Sequence, residues 1–428
     1  MFLWAPTRRR AVTPEASPTV RRPSLEPLFT PAELAEIQAY SSTWYTWFAV
    51  RDLFKIGLFA FVLKFGVKAF HQTAVRCARW LDTRFAFVRR MPVVRAVPAA
   101  LEKLWGEPGW GVAVTFCLLY LLFLEVVYLP IDVHLDYFHE HRFGMSNETP
   151  TKFALGRLKS LGLVSIASTF LVFGLYGLAR RLRLWWLVLG VVAGAVLMFS
   201  AALDPWRAQV YFDQHPLEAG PLRERIVELM SRAKVEYRDI VVEKTSESSK
   251  VVGAYFAGQG PTRTIVLYDN LLHQLGEDEI LAAVAHEAAH VLEPRWIRRF
   301  LSAIALVAFL FGIDRLLRLA ARRRWFGAER YGDIRTMPLM GMSLYAIMLL
   351  TQPLTAADSR ARERAADQFA LELTQKPDAF RRLMINAARI NKTDPDPPRW
   401  IVLRAFSHPP LRERLAHADE FATKSSGR

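Results

Sequence analysis

Uncharged apolar runs close to the length of a bilayer crossing recur along the chain. Residues 161–179 and 184–203 carry no charge and are separated by Arg180, Arg181 and Arg183, a pattern that predicts a helical hairpin with a basic turn. Residues 336–354 form a third uncharged run, and 110–131 a fourth with only Glu125 inside it. Residues 300–313 are apolar over too short a distance and must continue through Asp314 and Arg315 to cross. The poorest candidate, 44–70, is interrupted by Arg51, Asp52, Lys55 and Lys64. Six spans are expected. An even number of crossings separates the polar blocks 204–299 and 356–428, so both lie on one side of the membrane and can build one domain.

Within the first polar block, Gly220-Pro221 opens a helical pattern to Ala233, followed by strand patterns at 239–244, 251–257 and 264–268. Helical spacing resumes near Asp278 and runs to Glu293, where Pro294 ends it. The fold class expected is mostly α, a multi-pass helical membrane bundle with a small α+β domain.

Composition supports this layout. Hydrophobic residues make up 52% of the chain, and 12 Trp with 28 Phe exceed what a soluble core of this size needs. A net charge of +15 would suggest nucleic acid in a soluble protein. Here the arginines flank apolar runs, which points to anionic lipid headgroups, and no nucleic-acid-binding motif accompanies them. Cys77 and Cys117 are far apart, with Cys117 inside an apolar run, so neither a disulfide framework nor a cysteine zinc site is indicated. The Pro- and Arg-rich tail to about Leu28 lacks signal-peptide order and is expected to be poorly ordered.

The chemistry centres on His286-Glu287-Ala288-Ala289-His290. On a helix, positions four apart share a face, so both imidazoles can reach one Zn²⁺ and Glu287 can touch a water beside it. Zinc needs a third protein ligand and an open position. After the last span, Glu363 and Asp367 are four apart in Ser359-Arg360-Ala361-Arg362-Glu363-Arg364-Ala365-Ala366-Asp367. Glu363 as ligand with Asp367 holding a ligand histidine is one reading; an exposed helix of Arg and Glu pairs is the other, and spacing alone does not separate them. His408, before two prolines, is on its own only a turn histidine.

Several further pieces occur in a fixed order: Leu129-Pro130, His-Arg-Phe-Gly at 141–144, Glu218-Ala219-Gly220-Pro221-Leu222-Arg223, Ala254-Tyr255-Phe256, Ile265-Val266-Leu267-Tyr268-Asp269, and His408-Pro409-Pro410-Leu411. With the HExxH and ExxxD motifs, this arrangement resembles the type I CAAX prenyl proteases from about Phe29 onward. The resemblance implies a thermolysin-like zinc endopeptidase domain on a helical membrane barrel enclosing a chamber. It implies one Zn²⁺ per chain on His286, His290 and Glu363, Asp367 behind a ligand, and Glu287 as general base and acid. It also implies that Gly253, Ala254, Tyr255 and Phe256 pair with the substrate backbone, and that His408 and Arg414 face the scissile carbonyl. Gly253, Ala289 and Val291 depart from the family's usual Asn, Gly and Trp, and the family's first membrane helix is missing.

The expected organisation is an N-terminal extension over 1–43, membrane helices over 44–203 and 300–354, and a catalytic domain split between 204–299 and 355–428. The expected partners are membrane lipids and a peptide or membrane-protein substrate, lipidated or not, with no nucleic acid. The chain is expected in a bacterial inner membrane or the endoplasmic reticulum membrane. The resemblance implies a cytosolic catalytic domain, although the basic loop of Arg315, Arg318, Arg322, Arg323, Arg324, Arg330 and Arg335 leans the other way. A membrane-protein quality-control protease of the same mechanism is an alternative, as is a transporter or receptor with an incidental HExxH. His134, His139 and His141 are expected to be solvated in a connector.

Overall fold

The computed structural model describes residues 28–84, 109–199 and 213–427, so the tail before Leu28 and the end of the 184–203 run lie outside the described residues. α1 (Pro31–Phe61) starts at a capping box in which Thr30 and Glu33 satisfy each other's backbone N–H groups. The helix therefore begins well inside the expected 1–43 extension. A π-type turn, Val62–Gly66, leads straight into α2 (Val67–Arg84). α3 (Trp110–Val133) continues through a second π-type turn as far as Arg142. α4 (Pro150–Arg181) and α5 (Trp185–Phe199) form the expected hairpin, turning at the basic residues.

The sheet domain follows, with β1 (Gln214–Pro216), α6 (Pro221–Ala233), β2 (Asp239–Glu243), β3 (Ala254–Ala257) and β4 (Thr264–Tyr268). Next come α7 (Asp269–Gln274), α8 (Glu277–Leu292), which carries the HExxH motif, and α9 (Arg295–Arg322). α10 (Met337–Thr374), α11 (Pro377–Ile390), α12 (Arg399–Arg404) and α13 (Leu411–Ser426) complete the chain. The described residues are mostly helical, with one small four-stranded sheet among them in the order β1-β2-β4-β3. β2 and β4 are parallel, the outer pairs are antiparallel, and β3 is an edge strand. β1 was not legible in the sequence: it is three residues long and contains a proline.

Among the described residues, four helices are long and apolar enough to cross a membrane: Trp110–Arg142, Pro150–Arg181, Trp296–Arg322 and Ile334–Thr374. α5 is apolar but shorter over its described residues. The expected span over 44–70 lies on α1 and α2 and is not among these four, because charged residues interrupt its apolar run. One of those charges is used internally: Asp52 accepts from the Tyr345 hydroxyl at 2.6 Å and the Arg404 guanidinium at 2.5 Å. The expectation for the histidine connector is corrected as well. His139 is buried and stacks on Tyr40 at 4.8 Å, and both ring nitrogens of His141 bond to backbone carbonyls, of Tyr137 and Glu148. The segment is helix continued, so these rings pack instead of facing water.

α10 is longer than a crossing requires. Its 38 residues rise ~57 Å at ~1.5 Å each, against ~30 Å of hydrocarbon, so its last turns project beyond the bilayer. There they join α6, α8, α11 and α13 in one buried core containing Ile226, Ile280, Val284, Leu371, Phe380 and Leu415, closed at the N-terminal side by Phe29 and Ile37. The two polar blocks thus share a core. Leu371 is fully buried there; Leu371→Ala should destabilise the protein by about 2–5 kcal/mol, read as a lowered unfolding temperature in detergent.

Candidate metal centre

α8 packs along the last turns of α10, and this contact brings the two motifs together. Glu277, Asp278 and Glu279 in the first turn of α8 complement its N-terminal dipole. Further along, alanines at 282, 285 and 288 are fully buried and let the helix approach its neighbours closely. His286 and His290 then project on one side, toward Glu363. The His286 Nε2 lies 3.0 Å from one Glu363 oxygen and the His290 Nε2 3.3 Å from the other. Ligand atoms of these three residues all fall within 4.8 Å of one another. Two imidazole nitrogens and a carboxylate are a zinc-type donor set, and tetrahedral ligands at about 2.1 Å from an ion stand about 3.4 Å apart. The residues therefore fit one such ion.

Asp367, one turn beyond Glu363, is buried with an oxygen 2.9 Å from His286 Nδ1, close but off the ideal hydrogen-bond direction. A carboxylate behind a ligating imidazole fixes the ring's orientation and leaves Nε2 for the metal. Asp367 is itself gripped by Arg414 of α13, whose Nε donates at 2.8 Å and whose Nη2 contacts the second oxygen. The guanidinium also lies over the Phe380 ring at 5.9 Å. Two of its donors are thus engaged behind the centre, while the residue also lines the cleft that holds Glu287 and His408. His408 does reach the centre: its Nε2 is 3.2 Å from Glu363, and its Nδ1 is 2.9 Å from the Ser407 hydroxyl.

Burial opposes charge on His286, but Asp367 and Glu363 outweigh it and push the imidazole up to about 9. Burial also raises the Glu287 carboxyl, with Glu363 adding to the effect and the two imidazoles opposing it. Glu287 lines a cleft of about 430 Å³ with Ala254, Leu383, Met384, His408 and Arg414 among its walls. Gly253 and Ala254 lie on the same cleft, whereas Tyr255 and Phe256 border a second opening beside Glu287 and His290. The Tyr255 hydroxyl donates to buried Glu243 at 2.8 Å, which in turn accepts from Gln214. Gly253 allows close packing, since a Cβ there would come within 3.1 Å of the Tyr268 ring.

Two family descriptions divide this sequence between them: "CAAX prenyl protease N-terminal, five membrane helices" matches residues 14–208, and "Peptidase family M48" matches 216–422. The chain belongs to the CAAX prenyl protease family of M48 peptidases. Its similar proteins include the Bacillus subtilis "Uncharacterized metalloprotease YhfN", 28% identical over 72% of this chain and 73% of that one. A "CAAX prenyl protease 1 homolog" of Oryza sativa is 25% identical over 71% and 72%. The fold resembles the crystal structure of S. mikatae Ste24p, with a TM-score of 0.67 and 20% identity over 94% and 92% of the two chains. The protein is therefore an integral membrane metallopeptidase, and family membership implies a metal at the His/Glu group.

Asp367 and Glu363 raise the proton affinity of His286, so a metal taking its Nε2 competes with a proton. The affinity should accordingly strengthen by about tenfold per pH unit for each proton displaced as pH rises toward 9, and weaken on acidification, in a titration of the metal-free protein with zinc. Asp367→Asn should lower zinc affinity by about 10–100-fold in the same titration.

Proposed function

We propose that the metal is zinc, held by His286, His290 and Glu363, and that the protein is an endopeptidase acting on peptides presented at the membrane. The observation that carries this is the convergence of the HExxH helix and Glu363 at ligand distances, with Glu287 on the cleft beside them. Zinc bound there supplies Lewis acidity toward water and toward a peptide carbonyl. Glu287 takes the proton of the attacking water and delivers it to the leaving amine, a role suited to a carboxyl raised above its ordinary range. His408, one imidazole edge from Glu363, stabilises the oxyanion. Arg414 works as a positioning residue, holding Asp367 and through it His286.

β3 supports the proposed substrate alignment. As an edge strand bordering the cleft it can accept a peptide as an added strand, with Gly253, Ala254, Tyr255 and Phe256 along the groove. The catalytic unit comprises 204–299 and 355–428, on the cytosolic face. Similar proteins named CAAX prenyl protease make a peptide carrying a prenyl group a reasonable substrate, and unlipidated membrane peptides serve as the comparison. Glu287→Gln in the detergent-purified protein should retain about one zinc per chain and lose at least 10²-fold in peptide hydrolysis. Unchanged cleavage by that variant would remove Glu287 from the mechanism.

A further inference from the structure

The outer edge of β3 is not uniformly open. The Gly253 carbonyl accepts from Tyr268 N–H at 3.0 Å, and Tyr255 and Ala257 follow in register against Val266 and Thr264. Backbone groups alternate along a strand, so those of 253, 255 and 257 face β4 and those of 252, 254 and 256 face outward. Among the described residues, Ala254 and Phe256 have no backbone partner on that outer edge. Val252 has both: its N–H donates to Asn391 Oδ1 at 2.9 Å, and its carbonyl accepts from Asn391 Nδ2 at 3.1 Å. Upstream the edge is closed as well, with Lys250 N–H bonded to the Met145 carbonyl and Ser249 bridged to Ser146.

One amide that gives a donor and an acceptor to the same residue does what one residue of an antiparallel strand does. A parallel strand would split those two bonds between different residues. Asn391 therefore imitates the next residue of an antiparallel partner. We propose that Asn391 is a positioning residue that ends the substrate groove. A peptide paired antiparallel with Phe256 and then Ala254 runs its C-terminal side toward Val252, meets Asn391 in the next pairing position, and must stop or leave the edge there. The inference rests on the peptidase reading and adds selectivity for the length of the substrate's C-terminal side.

The test uses the full-length, zinc-loaded protein and two peptide series sharing one cleaved core. One series is lengthened residue by residue at the C-terminus and the other at the N-terminus, with products identified by mass spectrometry. In the parent, kcat/KM should fall at least tenfold once the C-terminal tail passes a fixed length, with no such step in the N-terminal series. In Asn391→Ala the step should move outward by two residues, the spacing of one antiparallel pair, through KM. Asn391→Asp keeps the shape but sets an oxygen against the Val252 carbonyl, and should move the step too. Either variant that binds zinc decides the matter. A parent without a C-terminal step, or zinc-binding variants that keep it in place, would overturn the inference. A parent that cleaves neither series at full zinc loading would overturn the peptidase reading and this inference with it.

Discussion

A carboxylate removed from water must be met by charge or by donors, and Glu363, 5% exposed, is met from three directions by His286, His290 and His408. The partners sit on different elements, so satisfying this one group fixes the docking of α8 and the approach of the segment before α13 against α10. Because α10 is also a membrane-crossing helix, the centre is rigidly tied to the bilayer region. Arg404 on α12 adds a second tie through Asp52 on α1. A soluble domain flexibly tethered to its anchor would show neither connection.

Behind the centre, charges alternate in a relay from Arg414 through Asp367 to His286. Asp367 and His286 are deeply buried and Arg414 is partly buried, and removing any one would leave an unpaired charge in a poorly solvated place. This explains why a motif of only two helical residues, Glu363 and Asp367, depends on an arginine 47 positions away from Asp367.

Much of this was legible before the structure, for physical reasons. The hairpin of α4 and α5 follows from uncharged runs split by arginines, and the HExxH helix from apolar spacing ended by Pro294. That Glu363 approaches the histidines was not decidable from spacing, since an i, i+4 acidic pair on an arginine-rich helix looks the same whether buried or solvated. The family resemblance supplied it. The 44–70 segment was the poorest candidate span in the sequence because charges interrupt its apolar run, and what one of them does, Asp52 accepting from Tyr345 293 positions away, has no local pattern. His139 and His141 were misread because a π-type turn carries α3 onward past the point where its apolar run ends. The Asn391 contact to Val252 left no trace in the sequence, because a side-chain amide closing a strand edge has no local pattern.

The most direct measurement is zinc content of the purified protein beside its Glu363→Ala variant, with X-ray absorption at the zinc edge of the parent. About one zinc per chain in the parent, coordinated by two imidazoles and a carboxylate, with less than about a tenth of that in the variant, is the predicted result. Equal zinc in the two proteins would contradict a centre completed by the membrane-crossing helix.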